Sequence, residues 1–229
     1  MSPELTFRPL FETDLELDEA APGARERGEA TIGDKNVQVL LRQNRIGLHK
    51  GETTKCPAMA GTGRSKAYYA VPLMCVVHSH PECRFQWSRL TIDLSPTKGA
   101  IIRDMVPLEV RGDKPVEITT KVGIGIKFET VHKALSAELK PEYEHSRTCY
   151  YPEIVSSGID FDVGFWDFLA LTSDYLHANR ELHLRIEAPA SKPPLVRFQL
   201  EAKVTVAGIV GSLPLVARKG VIDQVYALD

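Results

Sequence analysis

The residues with the clearest capacity for chemistry lie close together: Cys75, His78, His80 and Cys83 fall within nine positions. Thiolate and imidazole are the ligands that zinc prefers in proteins. Side chains alternate along an extended chain, so Cys75 would face away from both histidines. A two-residue turn at Pro81-Glu82 would pair His80 with Cys83 and leave His78, His80 and Cys83 on one face.

The sequence therefore predicts at most three zinc ligands in this run. A fourth would come from His49, Cys56 or a water molecule at an open site. Cys83 beside His80 also has the residue types of a nucleophilic pair, yet no motif supplies oxyanion donors or an orienting group. We therefore expect a protein that is not an enzyme and has no cofactor, and we keep a zinc protein centred on His78, His80 and Cys83 as the alternative.

A second run with chemical potential is Gly61–Lys66, which joins glycines to Arg64 and Lys66. It lacks the spacing of a phosphate-binding loop and does not lead into a helix. We predict a loop here, with an anion site at its basic residues as the alternative reading.

The whole chain has the composition of an ordinary globular protein. Its 229 residues suit one domain, and 28 basic against 30 acidic residues give a net charge of −2. A nucleic-acid-binding domain is usually basic, so this class is disfavoured. No apolar run reaches the ~18 residues of a membrane-spanning helix.

The compartment is predicted from the first residues and the cysteines. Met1–Arg8 has no basic region followed by an apolar one, which predicts no secretory signal. Four dispersed cysteines, Cys56, Cys75, Cys83 and Cys149, are typical of reduced thiols rather than a disulfide framework. The expected location is the cytoplasm, with two disulfides in an exported protein as the alternative.

Charge divides the chain into segments. Residues 1–36 carry nine acidic and four basic residues, whereas residues 37–66 carry six basic residues and one acidic. We predict an acidic N-terminal segment over 1–36, partly disordered or forming an edge strand, before a single domain over 37–229. The basic segment either neutralises the acidic one or binds anions, which makes an anion or nucleic-acid binder the second alternative function.

Alternating apolar and polar residues predict many half-buried strands. The predicted strands are Val37–Leu41, Val71–His78, Cys83–Leu94 with a bulge near Ser88-Arg89, Ala100–Val110, Val116–Phe128, Thr148–Val155, Leu182–Ile186, Val196–Val206 and Leu213–Arg218. This pattern predicts a mainly β protein, an antiparallel β-sandwich of Ig-like or jelly-roll-like type.

Two segments have helical spacing, so the predicted sandwich carries one or two inserted helices. Val131–Leu139 follows the three-and-four pattern before Pro141. Phe165–Leu176 does the same, although Phe161–Leu171 also fits a strand buried on both faces. We favour a helix at both places.

The predicted strand Val116–Phe128 has glycines on one face, which would let another backbone approach closely. We therefore predict a recognition or assembly module that binds a protein partner or a second copy of itself. The expected contact residues are Lys121, Gly123, Gly125 and Lys127 with the basic loop residues Lys50, Lys55, Arg64 and Lys66.

Overall fold

The computed structural model describes residues 6–17, 43–56, 65–81, 83–121, 125–130, 144–170, 176, 180–206, 212–217 and 224–228. Its regular elements are β-strands, and no helix element occurs in these ranges. The strands are β1 (Arg8–Leu17), β2 (Arg45–Lys50), β3 (Thr54–Cys56), β4 (Lys66–His78), β5 (Cys83–Asp93), β6 (Ile101–Val106), β7 (Glu109–Lys121), β8 (Gly125–Thr130), β9 (Glu144–Ser157), β10 (Val163–Leu169), β11 (Glu181–Pro189), β12 (Leu195–Val206), β13 (Ser212–Ala217) and β14 (Val225–Ala227).

The strands form two antiparallel sheets that pack together, which confirms the predicted mainly β sandwich. Sheet A has the order β6-β11-β4-β2-β1, with β3 beside β4. Sheet B has the order β1-β13-β12-β5-β10-β9-β7-β8, with β14 beside β12. β1 belongs to both, because Arg8–Asp14 pair with β2 and Leu15–Leu17 pair with β13.

The core lies between the sheets and is built by the alternation seen in the sequence. On β12 the buried residues are Val196, Phe198, Leu200, Ala202 and Val204, and on β11 they are Leu182, Leu184, Ile186 and Ala188. Burying each large aliphatic or aromatic side chain stabilises the fold by about 1.5–3 kcal/mol. The alternation of apolar residues along the sequence and the burial of one face of each strand therefore favour the same β-sandwich.

The helix predicted over Phe165–Leu176 is wrong where the structure describes it. Val163–Leu169 is β10, which pairs with β5 on one side and β9 on the other. Trp166 and Phe168 are fully buried, whereas Phe165 and Leu169 lie half-buried on the opposite face. Apolar residues on both faces imitate helical spacing. The predicted helix Val131–Leu139 lies outside the described residues.

The single strand predicted over Val116–Phe128 is also wrong. β7 and β8 form an antiparallel pair in which Lys121 is the partner of Gly125 and Thr119 is the partner of Lys127. Paired positions in β7 and β8 are both odd or both even in number. The alternation of apolar and polar residues therefore continues unchanged where the chain reverses direction. Periodicity alone therefore could not reveal the turn.

Other strand predictions need smaller corrections. The predicted bulge is confirmed but lies at Gln86, because Trp87 pairs with Lys203 while Phe85 pairs with Val204. The predicted strand Ala100–Val110 is interrupted, since β6 ends at Val106 and β7 begins at Glu109. The predicted strand Val37–Leu41 lies outside the described residues.

Part of the acidic N-terminal segment is an interior strand, not an edge strand. β1 has neighbours on both sides, and its Phe11 and Leu15 belong to the hydrophobic core. A domain boundary at residue 36 would therefore separate the sandwich from a strand that both sheets use. Residues 18–36 lie outside the described ranges.

Candidate interaction surfaces

The cysteine and histidine run does not form the predicted hairpin. β4 ends at His78 in sheet A, and β5 begins at Cys83 in sheet B. The Cys83 amide donates to the His80 carbonyl over 2.8 Å, so the chain turns tightly and crosses between the sheets. The prediction that His78, His80 and Cys83 share one face of a hairpin is therefore wrong, because His78 lies in sheet A and Cys83 in sheet B.

The crossover is held by a buried asparagine. Asn44 Nδ2 donates to Cys83 Sγ over 3.2 Å, and Asn44 Oδ1 accepts the His80 amide over 2.9 Å. Asn44 and Cys83 are buried, whereas His78 is exposed. Within the described ranges, no three His, Cys, Asp or Glu side chains are placed to hold a metal ion together. The three residues predicted to bind zinc are thus not assembled as a site.

The other core cysteine is also structural in character. Cys75 is fully buried, and burial raises the pKa of its thiol to about 12. A thiol that stays protonated at neutral pH is a poor nucleophile and a poor metal ligand.

Three of the four residues predicted on the glycine-bearing face lie on the β7–β8 hairpin. Lys121 ends β7, Gly125 begins β8 and Lys127 lies two positions further along. Gly123 falls outside the described residues. β8 pairs with β7 on one side and is the last strand of the sheet order, so it forms an edge in the described chain.

The opposite end of the sheet order is covered by the chain itself. The Ile102 amide on β6 donates to the Phe161 carbonyl over 2.8 Å, and the Asp160 amide donates to the Ile102 carbonyl over 2.7 Å. These bonds occupy part of the outer edge of β6. Among the described residues, no strand pairs with the outer side of β8.

The predicted basic loop residues lie on three strands. Lys50 ends β2, Lys55 lies on β3 and Lys66 begins β4, while Arg64 is outside the described residues. Lys50 lies opposite Arg8 of β1, and both line a cleft of about 650 Å³ together with Glu52. Of the predicted basic residues, the three described lysines thus lie on three different strands of sheet A, and Lys50 and Lys55 line two different clefts.

Lys66 instead neutralises an internal carboxylate. Its Nζ contacts Glu187 Oε1. Glu187 Oε2 accepts hydrogen bonds from the Tyr68 hydroxyl over 2.9 Å and from Arg103 Nε over 2.8 Å. Burial alone would raise the pKa of Glu187, but these donors outweigh it and lower the pKa to about 2. Lys66 therefore serves the fold.

Lys55 borders a separate cleft of about 370 Å³ between β3, β4 and the turn that follows β11. The lining residues are Thr53, Lys55, Tyr69, Ala190, Ser191, Lys192, Pro193 and Leu228. Sequence reasoning found Lys55 but missed Lys192, which lies in the stretch between two strands and belongs to no motif.

Aromatic residues on the outer face of sheet B are already covered. The Arg89 guanidinium lies 3.9 Å from the Phe165 ring centroid and 5.5 Å from that of Trp87. The same group binds both Asp167 oxygens, over 2.8 and 2.7 Å. This cluster ties β5 to β10 and leaves little free ring surface for a ligand.

Comparisons with known proteins identify no family. No family model matches the chain, and no curated protein matches it. Among solved structures, Clostridium perfringens delta-toxin is 10% identical with a TM-score of 0.35, over 77% of this chain and 90% of that chain. A pore forming protein is 9% identical with a TM-score of 0.27, over 80% of this chain and 76% of that chain. Likeness at this level assigns no function. In the described part of the chain, no helix has the length and apolar character needed to cross a membrane.

Proposed function

We propose that this protein is a non-enzymatic assembly module that binds a second copy of itself by pairing strand β8 with β8 of the partner. The observation that carries the proposal is the edge position of β8 in the described sheet. Backbone N–H and C=O groups on an edge are strong hydrogen-bonding groups, and strand addition satisfies them.

The β8 sequence suits antiparallel pairing with itself. It reads Gly-Ile-Lys-Phe-Glu-Thr over residues 125–130. A two-fold axis at Phe128 would set Lys127 of each copy opposite Glu129 of the other. Opposite charges in directly paired positions stabilise a sheet, and a two-fold interface repeats each pair. Six residues at ~3.3 Å each make an interface strand of about 20 Å.

Two described groups with large pKa shifts, Glu187 and Cys75, have structural surroundings. Glu187 has both oxygens engaged by Lys66, Tyr68 and Arg103. Cys75 is buried in the core. Catalytic groups usually combine a shifted pKa with access to a cleft, and neither residue lines one of the two clefts described above.

We further propose a cytoplasmic location. Cys56, Cys75 and Cys83 are free thiols in the structure, which suits a reducing compartment. Thiol titration of protein isolated from its native cells in the presence of an alkylating trap should find the cysteines reduced. Two stoichiometric disulfides would contradict this location.

Charge reversal tests the assembly proposal by sedimentation velocity over a concentration series. Lys127→Glu and Glu129→Lys should each weaken self-association roughly tenfold, because each turns two attractive cross-strand pairs into repulsive ones. The double variant Lys127→Glu/Glu129→Lys should restore association. An equimolar mixture of the two single variants should associate better than either alone.

The matched control is Lys203→Glu, a charge reversal on exposed sheet B surface away from β8. It should leave association unchanged. A chain that stays monomeric throughout the series, or single variants that associate like the wild type, would overturn the proposal.

A further inference from the structure

We infer that the cleft between β3, β4 and the turn after β11 binds a small ligand carrying a phosphate or carboxylate group. This inference is independent of the assembly proposal, because the cleft lies on sheet A and β8 lies at the far end of sheet B. A volume of about 370 Å³ is near the lower end for small-molecule sites, which favours a compact ligand over a polymer.

The charge of the lining selects an anion. Lys55 comes from β3 and Lys192 from the turn, and the described lining contains no acidic side chain. Neither lysine has a salt bridge with a described residue, whereas Lys66 and Arg197 elsewhere on the strands are paired with Glu187 and Asp93. Both lysines line one cleft, so an anion bound there would be attracted to two positive charges.

A buried polar atom gives a second, separate indication. Thr53 Oγ1 is shielded from water and has no hydrogen-bond partner among the described residues. A buried hydroxyl without a partner destabilises a fold, so such groups in native proteins call for an ion, a water or a functional explanation. Rotation of the Thr53 side chain would turn this hydroxyl into the cleft that Thr53 lines, where a bound anion could accept its hydrogen bond.

The inner wall of the cleft belongs to the folded core. Leu228 is fully buried and Tyr69 is 5% exposed, so they form a rigid floor. Lys55 Nζ lies 5.9 Å from the Tyr69 ring centroid, which places a cation next to an aromatic surface. The Tyr69 hydroxyl donates to the Lys192 carbonyl over 3.5 Å and connects the turn to β4. The cleft is therefore formed before a ligand enters.

Calorimetric titration of the full chain at low ionic strength tests the inference, with pyrophosphate and citrate as separate probes. Pyrophosphate tests a phosphate ligand and citrate tests a carboxylate ligand. We expect saturable binding of at least one probe at one site per chain. Lys55→Gln and Lys192→Gln should each weaken it roughly tenfold, because each removes a charge-assisted hydrogen bond to the anion.

Matched control variants distinguish binding in this cleft from non-specific binding to positive surface charge. Lys203→Gln removes one exposed positive charge on β12 of sheet B, where Lys203 pairs with Trp87 and Pro214, and should leave binding unchanged. Thr53→Val keeps the shape of the side chain and removes its hydroxyl, so it should weaken binding while the chain unfolds at the same or a higher temperature. The inference is overturned if neither probe binds saturably, or if the double variant Lys55→Gln/Lys192→Gln binds as the wild type does.

Discussion

At the scale of single residues, the most informative side chain is Glu187. Alternation along β11 places it on the outward face, where a glutamate is normally solvated. Its side chain is nonetheless only 1% exposed. A bulge in β6 explains part of this, because Ile186 pairs with Ile102 while Arg185 pairs with Asp104, which leaves Arg103 as the extra residue. A bulge redirects a side chain, and here Arg103 reaches both Glu187 and Asp160.

Replacing this carboxylate should destabilise the fold. Glu187→Gln removes the negative charge that Lys66 and Arg103 share, and we expect a loss of roughly 2–3 kcal/mol in the free energy of unfolding. The value stays moderate because the side chains of Lys66 and Arg103 are 47% and 37% exposed and can be rehydrated. Urea unfolding at pH 7 measures it. Asp160→Asn is the control, since that carboxylate is 65% exposed and its ion pair should contribute under about 1 kcal/mol.

The same carboxylate gives a pH dependence with a definite sign. The fold lowers the pKa of Glu187 from 4.5 to about 2. Its contribution is therefore fully present above about pH 4.5 and is lost as the pH falls towards 2. The stability difference between the wild type and Glu187→Gln should shrink over this interval in urea titrations at a series of pH values. A difference that is constant from pH 6 to 2.5 would contradict the lowered pKa.

At the scale of elements, local alternation predicted most strands because each strand places one face in the core. Alternation could not predict how β4, an interior strand, accommodates Pro72. Proline lacks an N–H and usually avoids interior strands. β2 pairs with β4 as far as Leu73 and β3 resumes at Ala70, so Pro72 lies where the neighbouring strand is interrupted. The Gly51 amide donates to the Pro72 carbonyl across this interruption over 2.9 Å.

The cleft between β3, β4 and the turn after β11 could also be predicted only in part from local sequence. Lys55 could be found from the basic composition of its segment, but Lys192 is distant in sequence and lies in a turn with no motif. Their proximity depends on β3 and β11 both pairing with β4. Long-range pairing of this kind leaves no local signal in one sequence.

The packing of β10 against β6 gives a prediction for an element. A Cβ at Gly164 would lie 2.6 Å from Ile102 Cδ1 and 2.9 Å from the Ser157 carbonyl oxygen. Gly164→Ala should therefore reduce stability by about 1–3 kcal/mol, because backbone on one side leaves no room to relax. Gly47→Ala is the control, since its Cβ would meet Phe11 O at 3.2 Å and the flexible Glu12 side chain at 3.3 Å. Equal midpoints of thermal unfolding for the two variants would contradict this account.

At the scale of the whole molecule, β1 unites the two sheets. Its first part pairs with β2 in sheet A and its last part pairs with β13 in sheet B. The acidic charge of residues 1–36 predicted partial disorder or an edge strand, and residues 18–36 lie outside the described ranges. Within β1 the acidic residues Glu12 and Asp14 are instead paired across the sheet with Arg45. Their charge therefore did not report exposure to a disordered environment.

Removal of β1 should consequently abolish cooperative folding. A chain lacking residues 1–17 leaves β2 and β13 without their shared neighbour and exposes the core around Phe11 and Leu15. Its thermal unfolding, followed by near-ultraviolet circular dichroism, should show no sharp transition. A chain lacking only residues 1–5 keeps all of β1 and should unfold like the full protein. A sharp transition of the chain lacking residues 1–17, near the unfolding temperature of the full protein, would contradict this prediction. It would show that the sandwich folds without β1.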